Sequence, residues 1–169
     1  AWFTANHDEN SWNGTEYEKY GAMAKSLAVF SCTWNGIPLL YSGQELPLTH
    51  KRLAFFDKDP INWTGKYELH GFYKKLLNLH AANPALRGGD AAAQTLKLVT
   101  NADDKILAYL RKNGENEIVV ILNWSQEAVR LFITDGRVDG VFDELFTGAL
   151  NDFALSKHFE IEPWGYRVV

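Results

Sequence analysis

The sequence predicts an α+β protein in two parts, with βα units over 1–90 followed by an antiparallel β-sandwich over 91–169. Three observations carry this. The apolar starts Phe3 and Ile37 lie about one βα repeat apart, with a helical pattern between them. Composition shifts abruptly at Arg87-Gly88-Gly89-Asp90-Ala91-Ala92-Ala93, as at a boundary. Beyond Gln94, short apolar runs alternate with turn signals.

In chain order, Phe3-Thr4-Ala5-Asn6-His7-Asp8 begins apolar and ends in polar side chains, as a strand does where a loop begins. A polar loop is expected from Glu9 to Gly14. Thr15 followed by Glu18 reads as a capping box opening a helix over about Glu16 to Thr33, with Tyr17, Tyr20, Ala24, Leu27, Ala28 and Ser31 on one face. Asn35-Gly36 ends it. Ile37 to Tyr41 is apolar throughout, as a buried parallel strand requires, and Pro38 sits at its start where a missing donor is tolerated. From Gln44 to Lys66 the chain is polar and has no period. A second helix is expected over about Tyr67 to Asn83, with Leu69, Phe72, Leu76 and Leu79 as its stripe and Asn83-Pro84 as its stop. The expected strands are Thr95–Thr100, Ile106–Lys112, Glu117–Asn123, Ala128–Ile133, Gly140–Glu144 and Phe159–Val169. Asn113-Gly114 is the hairpin cue.

Composition narrows the function classes. With 46% hydrophobic and 14% aromatic residues among 169, the chain can bury a core. A net charge of −4 without a basic stripe speaks against nucleic acid, and no apolar run is long enough to span a bilayer. The single cysteine, Cys32, lies in an apolar run and reads as a buried, inert thiol; it assigns no compartment. His50, His70, His80 and His158 lack ligand spacing, and Asp57 and Asp59 lack an EF-hand pattern, so neither a metal nor a cofactor is read. N-x-S/T triplets begin at Asn13, Asn62 and Asn123 and carry little weight without a secretory host.

Two stretches carry a resemblance. F-x-x-N-H-D at Phe3–Asp8 and G-x-P-x-x-Y-x-G-x-E at Gly36–Glu45 are similar to the seventh- and eighth-strand motifs of the alpha-amylase family of glycoside hydrolases. The resemblance implies a partial TIM-barrel segment of about two βα units, followed by that family's small all-β C-terminal domain. It makes Asp8 the supporting carboxylate that holds two sugar hydroxyls as the ring flattens toward the transition state. His7 becomes a hydrogen-bond donor to the same sugar, and Asn6 shapes the strand end. The nucleophile and general acid of such a site come from middle strands, so the expectation is a C-terminal fragment of an α-1,4-glucan hydrolase that is inactive alone. By itself, Asn-His-Asp also reads as a helix cap, and the two motifs together favour the family role. Glu45 is expected to be structural.

Flat aromatic rings stack on sugars, which makes Trp12 a candidate substrate wall and Trp63 another. Trp124 and Trp164 read better as core or packing between the two parts. A second function class remains: a non-catalytic module that binds carbohydrate or a partner through the β-sandwich. A lone pair of parallel strands would also leave apolar faces, to be covered by the helices docking on the β-part or by self-association.

Overall fold

The capping box forms as expected. Thr15 Oγ1 accepts from Glu18 N at 3.2 Å, and Glu18 Oε2 accepts from Thr15 N at 2.8 Å. The protein is described by a computed structural model covering residues 1–46, 50–63 and 65–169, so parts of the long Gln44–Lys66 segment and the last position of the Asn62 triplet lie outside the described residues. Its helices are α1 (His7–Asn13), α2 (Glu16–Tyr20), α3 (Ala24–Thr33) and α4 (His70–Ala82). The strands are β1 (Gln94–Lys97), β2 (Ile106–Asn113), β3 (Asn116–Asn123), β4 (Val129–Phe132), β5 (Val141–Asp143), β6 (Leu150–Asp152), β7 (His158–Ile161) and β8 (Tyr166–Val168).

Several expectations are corrected here. The expected loop Glu9–Gly14 is mostly helix, because Asn6 caps it: Asn6 Oδ1 accepts from Glu9 N at 2.8 Å. The long helix breaks at Gly21, whose φ of +53° departs from helical geometry, and Tyr20 is left exposed before a short 3-10 turn. The expected pair of parallel strands is reduced to one parallel bridge, Trp2 with Pro38, in which Trp2 N donates to Ile37 O and Leu39 N donates to Trp2 O. Ile37, expected to be buried, is 64% exposed, because α3 covers only one side of this pair among the described residues. Gly36 is needed there: a Cβ on it would lie 2.7 Å from the Trp2 ring. The expected terminal strand splits into β7 and β8 at the Glu162–Gly165 turn, where Trp164 takes a positive φ of 55°.

β1, β2, β3 and β8 form one antiparallel sheet in that order, while β4 pairs with β7 and β5 with β6. Asn113 pairs with Asn116 across a two-residue turn, with Gly114 at its first position and at φ +59°, as the II′ class requires. Side chains alternate between two cores. Ala108, Leu110, Val119 and Ile121 share one core with Leu131 of β4, Ile161 of β7 and Phe153, which follows β6. Tyr109, Ile118, Val120 and Leu122 face the helices through Val29, Cys32, Leu76 and Leu86. Burial on both faces is why Ile118–Leu122 is apolar at every position.

Polar ties cross the helix–sheet junction. Thr33 Oγ1 donates to Val29 O at 2.7 Å, so the 2.5 Å contact with Tyr109 has the phenol as donor. Burial holds that phenol neutral, pushing its pKa up. Arg111, fully buried, sends Nε and Nη2 to Ala85 O at 3.1 and 2.9 Å and Nη1 to Thr95 Oγ1 at 2.8 Å. The Cys32 thiol is buried and pushed up to about 12, the state of an unreactive side chain.

One surface feature predicts a pH effect. Asp135 accepts from Arg137 N and Nε at 2.9 Å, and these bonds hold its carboxyl at about 2. The ionised form is favoured by folding, so the stabilisation is complete above the unfolded pKa near 4 and fades as pH falls through about 2. Asp135→Asn should lose about 1 kcal/mol at pH 7, the range of a partly exposed pair. Parallel urea titrations should show the difference between the two proteins closing between about pH 4 and pH 2.

Candidate substrate-binding surface

The site residues lie at the start of α1. Asn6 is extended (φ −147°, ψ −176°) and turns the chain into the helix, its Oδ1 occupied by the cap. His7 and Asp8 are the first two helical residues, both exposed, with His7 Nε2 3.5 Å from Asp8 Oδ2. Trp12 follows Asp8 by one helical turn and so shares its face.

An exposed aromatic wall surrounds them. Trp12 meets Phe55 at 5.3 Å between ring centroids and Phe56 at 6.2 Å, and the two phenylalanines meet edge-on at 4.9 Å. His7 stacks over Phe55 at 6.4 Å with 23° between the planes. Phe56 is 84% exposed, an unusual position for a large apolar ring. The sequence had placed Phe55 and Phe56 in a periodless loop; two adjacent phenylalanines in a polar stretch were the available signal.

Glu9, Glu45 and Asp59 are engaged elsewhere. Glu9 Oε2 accepts from Asn13 Nδ2 at 3.1 Å and lies 3.4 Å from Lys19 Nζ. Glu45 Oε2 accepts from Gly43 N at 3.1 Å and shapes a turn, beside a cleft of about 510 Å³ shared with Tyr41, His70 and Tyr73. Asp59 binds Lys51 Nζ and accepts from Ala54 N at 3.0 Å, bonds that lower its pKa and brace the loop. Trp63 is exposed, and among the described residues no ring contact joins it to Trp12. Trp124 packs edge-on against Phe30 of α3 at 5.7 Å, between the helices and the sheet. The surface therefore presents an exposed carboxylate with free acceptor capacity for hydrogen-bond donors, an imidazole beside it, and flat rings alongside.

The chain resembles known alpha-amylases over most of its length. The chain is 30% identical over 155 residues to alpha-amylase MalA of Haloarcula japonica, covering 89% of the chain and 22% of that protein. It is 25% identical over 168 residues to alpha-amylase 2 of Dictyoglomus thermophilum, covering 92% and 28%. No family profile matches. Among solved structures, the maltogenic alpha-amylase AmyB of Thermotoga neapolitana superposes with a TM-score of 0.68 at 16% identity, over 99% of the chain and 37% of that structure. AmyP, solved with maltose, gives 0.66 at 16% identity over 90% and 34%. The chain belongs to the alpha-amylase family of glycoside hydrolases, as a C-terminal fragment of such an enzyme. It spans about a quarter of the length of these two relatives.

Proposed function

We propose that this chain supplies the supporting carboxylate and one wall of an α-1,4-glucan site within a longer retaining hydrolase. The observation that carries the reading is the exposed His7–Asp8 pair set beside the Trp12–Phe55–Phe56 wall. Asp8 accepts two hydroxyls of the sugar at the cleavage point, bonds that strengthen as the ring gains positive charge. His7 donates to the same sugar, Asn6 holds the turn that presents both, and Trp12 stacks on a neighbouring ring. Nucleophile and general acid belong to other strands, so residues 1–169 bind glucan without cleaving it. Residues 1–90 act as part of the barrel and 91–169 as the terminal β-domain. The exposed Trp2, Phe3, Ile37 and Leu39 face is covered by neighbouring strands of the same enzyme rather than by a second copy.

Titration with maltoheptaose, followed by amide and indole NMR, tests this. Saturable shifts are expected at His7, Asp8 and the Trp12 indole, with the anomeric signals of the sugar unchanged. Asp8→Ala and Trp12→Ala should each weaken binding about tenfold, or about 1.4 kcal/mol. Shifts confined to Trp124 or Trp164 would favour a binding module in the β-part, and cleavage by the pure chain would refute the division of carboxylates.

A further inference from the structure

Behind the exposed face of α1 lies a buried polar network that the substrate surface does not use. Glu16, at the start of α2, and His50, at the start of the aromatic-bearing loop, have side chains 1% and 2% exposed, with His50 Nδ1 3.1 Å from Glu16 Oε1. The buried Asn10 Nδ2 lies 3.4 Å from His50 Nε2, so the tautomer that satisfies both contacts carries its proton on Nδ1. The same Asn10 side chain donates to Lys51 O at 3.1 Å and accepts from Leu53 N at 2.8 Å, treating the loop as a strand neighbour. Arg52 Nε adds a bond to Glu18 Oε2 at 3.0 Å.

A network built for stability alone would not look like this. Among the described residues Glu16 Oε2 is buried with no hydrogen-bond partner, and a buried polar cluster adds little stability over apolar packing of the same shape. What this network registers is the stretch from His50 to Leu53, two residues before Phe55, against the helix that carries His7, Asp8 and Trp12. We propose that Asn10, Glu16 and His50 are positioning residues: they lock this loop so that Phe55 and Phe56 complete the aromatic wall beside His7 and Asp8. The proposal rests on the glucan reading above and assigns the wall's affinity to a buried lock.

The test combines hydrogen exchange with a double-mutant cycle on the intact chain, using maltoheptaose as the probe. Asn10→Ala should speed exchange of the Leu53 amide at least tenfold and weaken maltoheptaose about fivefold. Phe55→Ala should weaken it in the wild-type background yet add almost nothing once Asn10 is alanine, since the ring is then no longer held in place. Should alanine unfold the chain by urea titration, Asn10→Ser, which leaves a hydroxyl in the amide's place, carries the same measurements. Unchanged Leu53 exchange, or fully additive losses from Asn10 and Phe55, would overturn the lock while leaving the glucan site standing. Absence of saturable binding by the wild-type chain would instead overturn the glucan reading, and the lock's purpose with it.

Discussion

Replacing Asn123 with alanine is expected to destabilise the protein by about 4 kcal/mol, far beyond an ordinary surface substitution. Asn123 is fully buried at the end of β3. Its Nδ2 donates to Glu127 O at 2.7 Å, Glu162 O at 2.9 Å and Ile161 O at 3.2 Å. Its Oδ1 accepts from Ser125 N at 3.0 Å and Ser125 Oγ at 2.7 Å. One side chain thereby joins the end of β3, the turn after it and the end of β7. Alanine removes all five bonds and leaves a hole at the buried end of β3; Glu162 O keeps Gly165 N and Glu127 O keeps Ser125 Oγ, so the cost is the sum of the cavity, the lost bonds and the loosened turn. Asn123→Asp is the sharper control. It keeps both bonds from Ser125 but turns a carboxylate oxygen toward the carbonyls, and should be at least as damaging. Equilibrium urea unfolding checks both; a loss below about 1 kcal/mol for alanine would show that the knot does not hold the β-part together. The same burial bars Asn123 from acting as a glycan acceptor in the folded protein.

How much of this could be read beforehand follows the range of the interactions. The Thr15–Glu18 box and the Asn113–Asn116 hairpin are local, and both were legible. The α1 helix was missed because Asn6-His7-Asp8 serves a strand end and an N-cap equally well; the cap bond to Glu9 decides it. β6 escaped notice because Leu150 is exposed and leaves no buried alternation to find. The split between β7 and β8 depends on a positive φ at a tryptophan, which no propensity suggests. At the proposed site, motif and ring chemistry name His7, Asp8 and Trp12, and the fold sets these three side by side on α1. Phe55, Phe56 and the network of Asn10, Glu16 and His50 were not legible, because the contacts that tie them to α1 and α2 join residues 34 to 48 positions apart. In the sequence His50 is an imidazole without ligand spacing, yet the fold makes it a partner of a buried carboxylate.

Leu76→Ala should lower the unfolding temperature of the whole chain by about 6–12 °C, in one transition. Leu76 is fully buried on α4, among Val29 and Cys32 of α3 and Val120 and Leu122 of β3. Truncating a leucine in such a place costs about 2–5 kcal/mol through lost burial and the cavity left behind, and about 3 kcal/mol moves the midpoint of a chain this size by that amount. The informative part is the number of transitions. A boundary near residue 90 suggests two units that melt apart, with the substitution shifting only the first. The packing argues otherwise: the second face of the four-stranded sheet is closed by α3 and α4, so losing the helices would expose Tyr109, Val120 and Leu122. It would also break the Tyr109–Thr33 bond, the Arg111–Ala85 bonds and the bonds from Lys75 Nζ to Leu145 O and Phe146 O. Calorimetry with near-ultraviolet and far-ultraviolet dichroism on the same samples decides between these. Coincident curves, displaced together in Leu76→Ala, mean that the sheet is the floor on which α3 and α4 stand. A separate low-temperature transition that alone moves would mean that the sheet folds first and the helices dock as a dispensable layer.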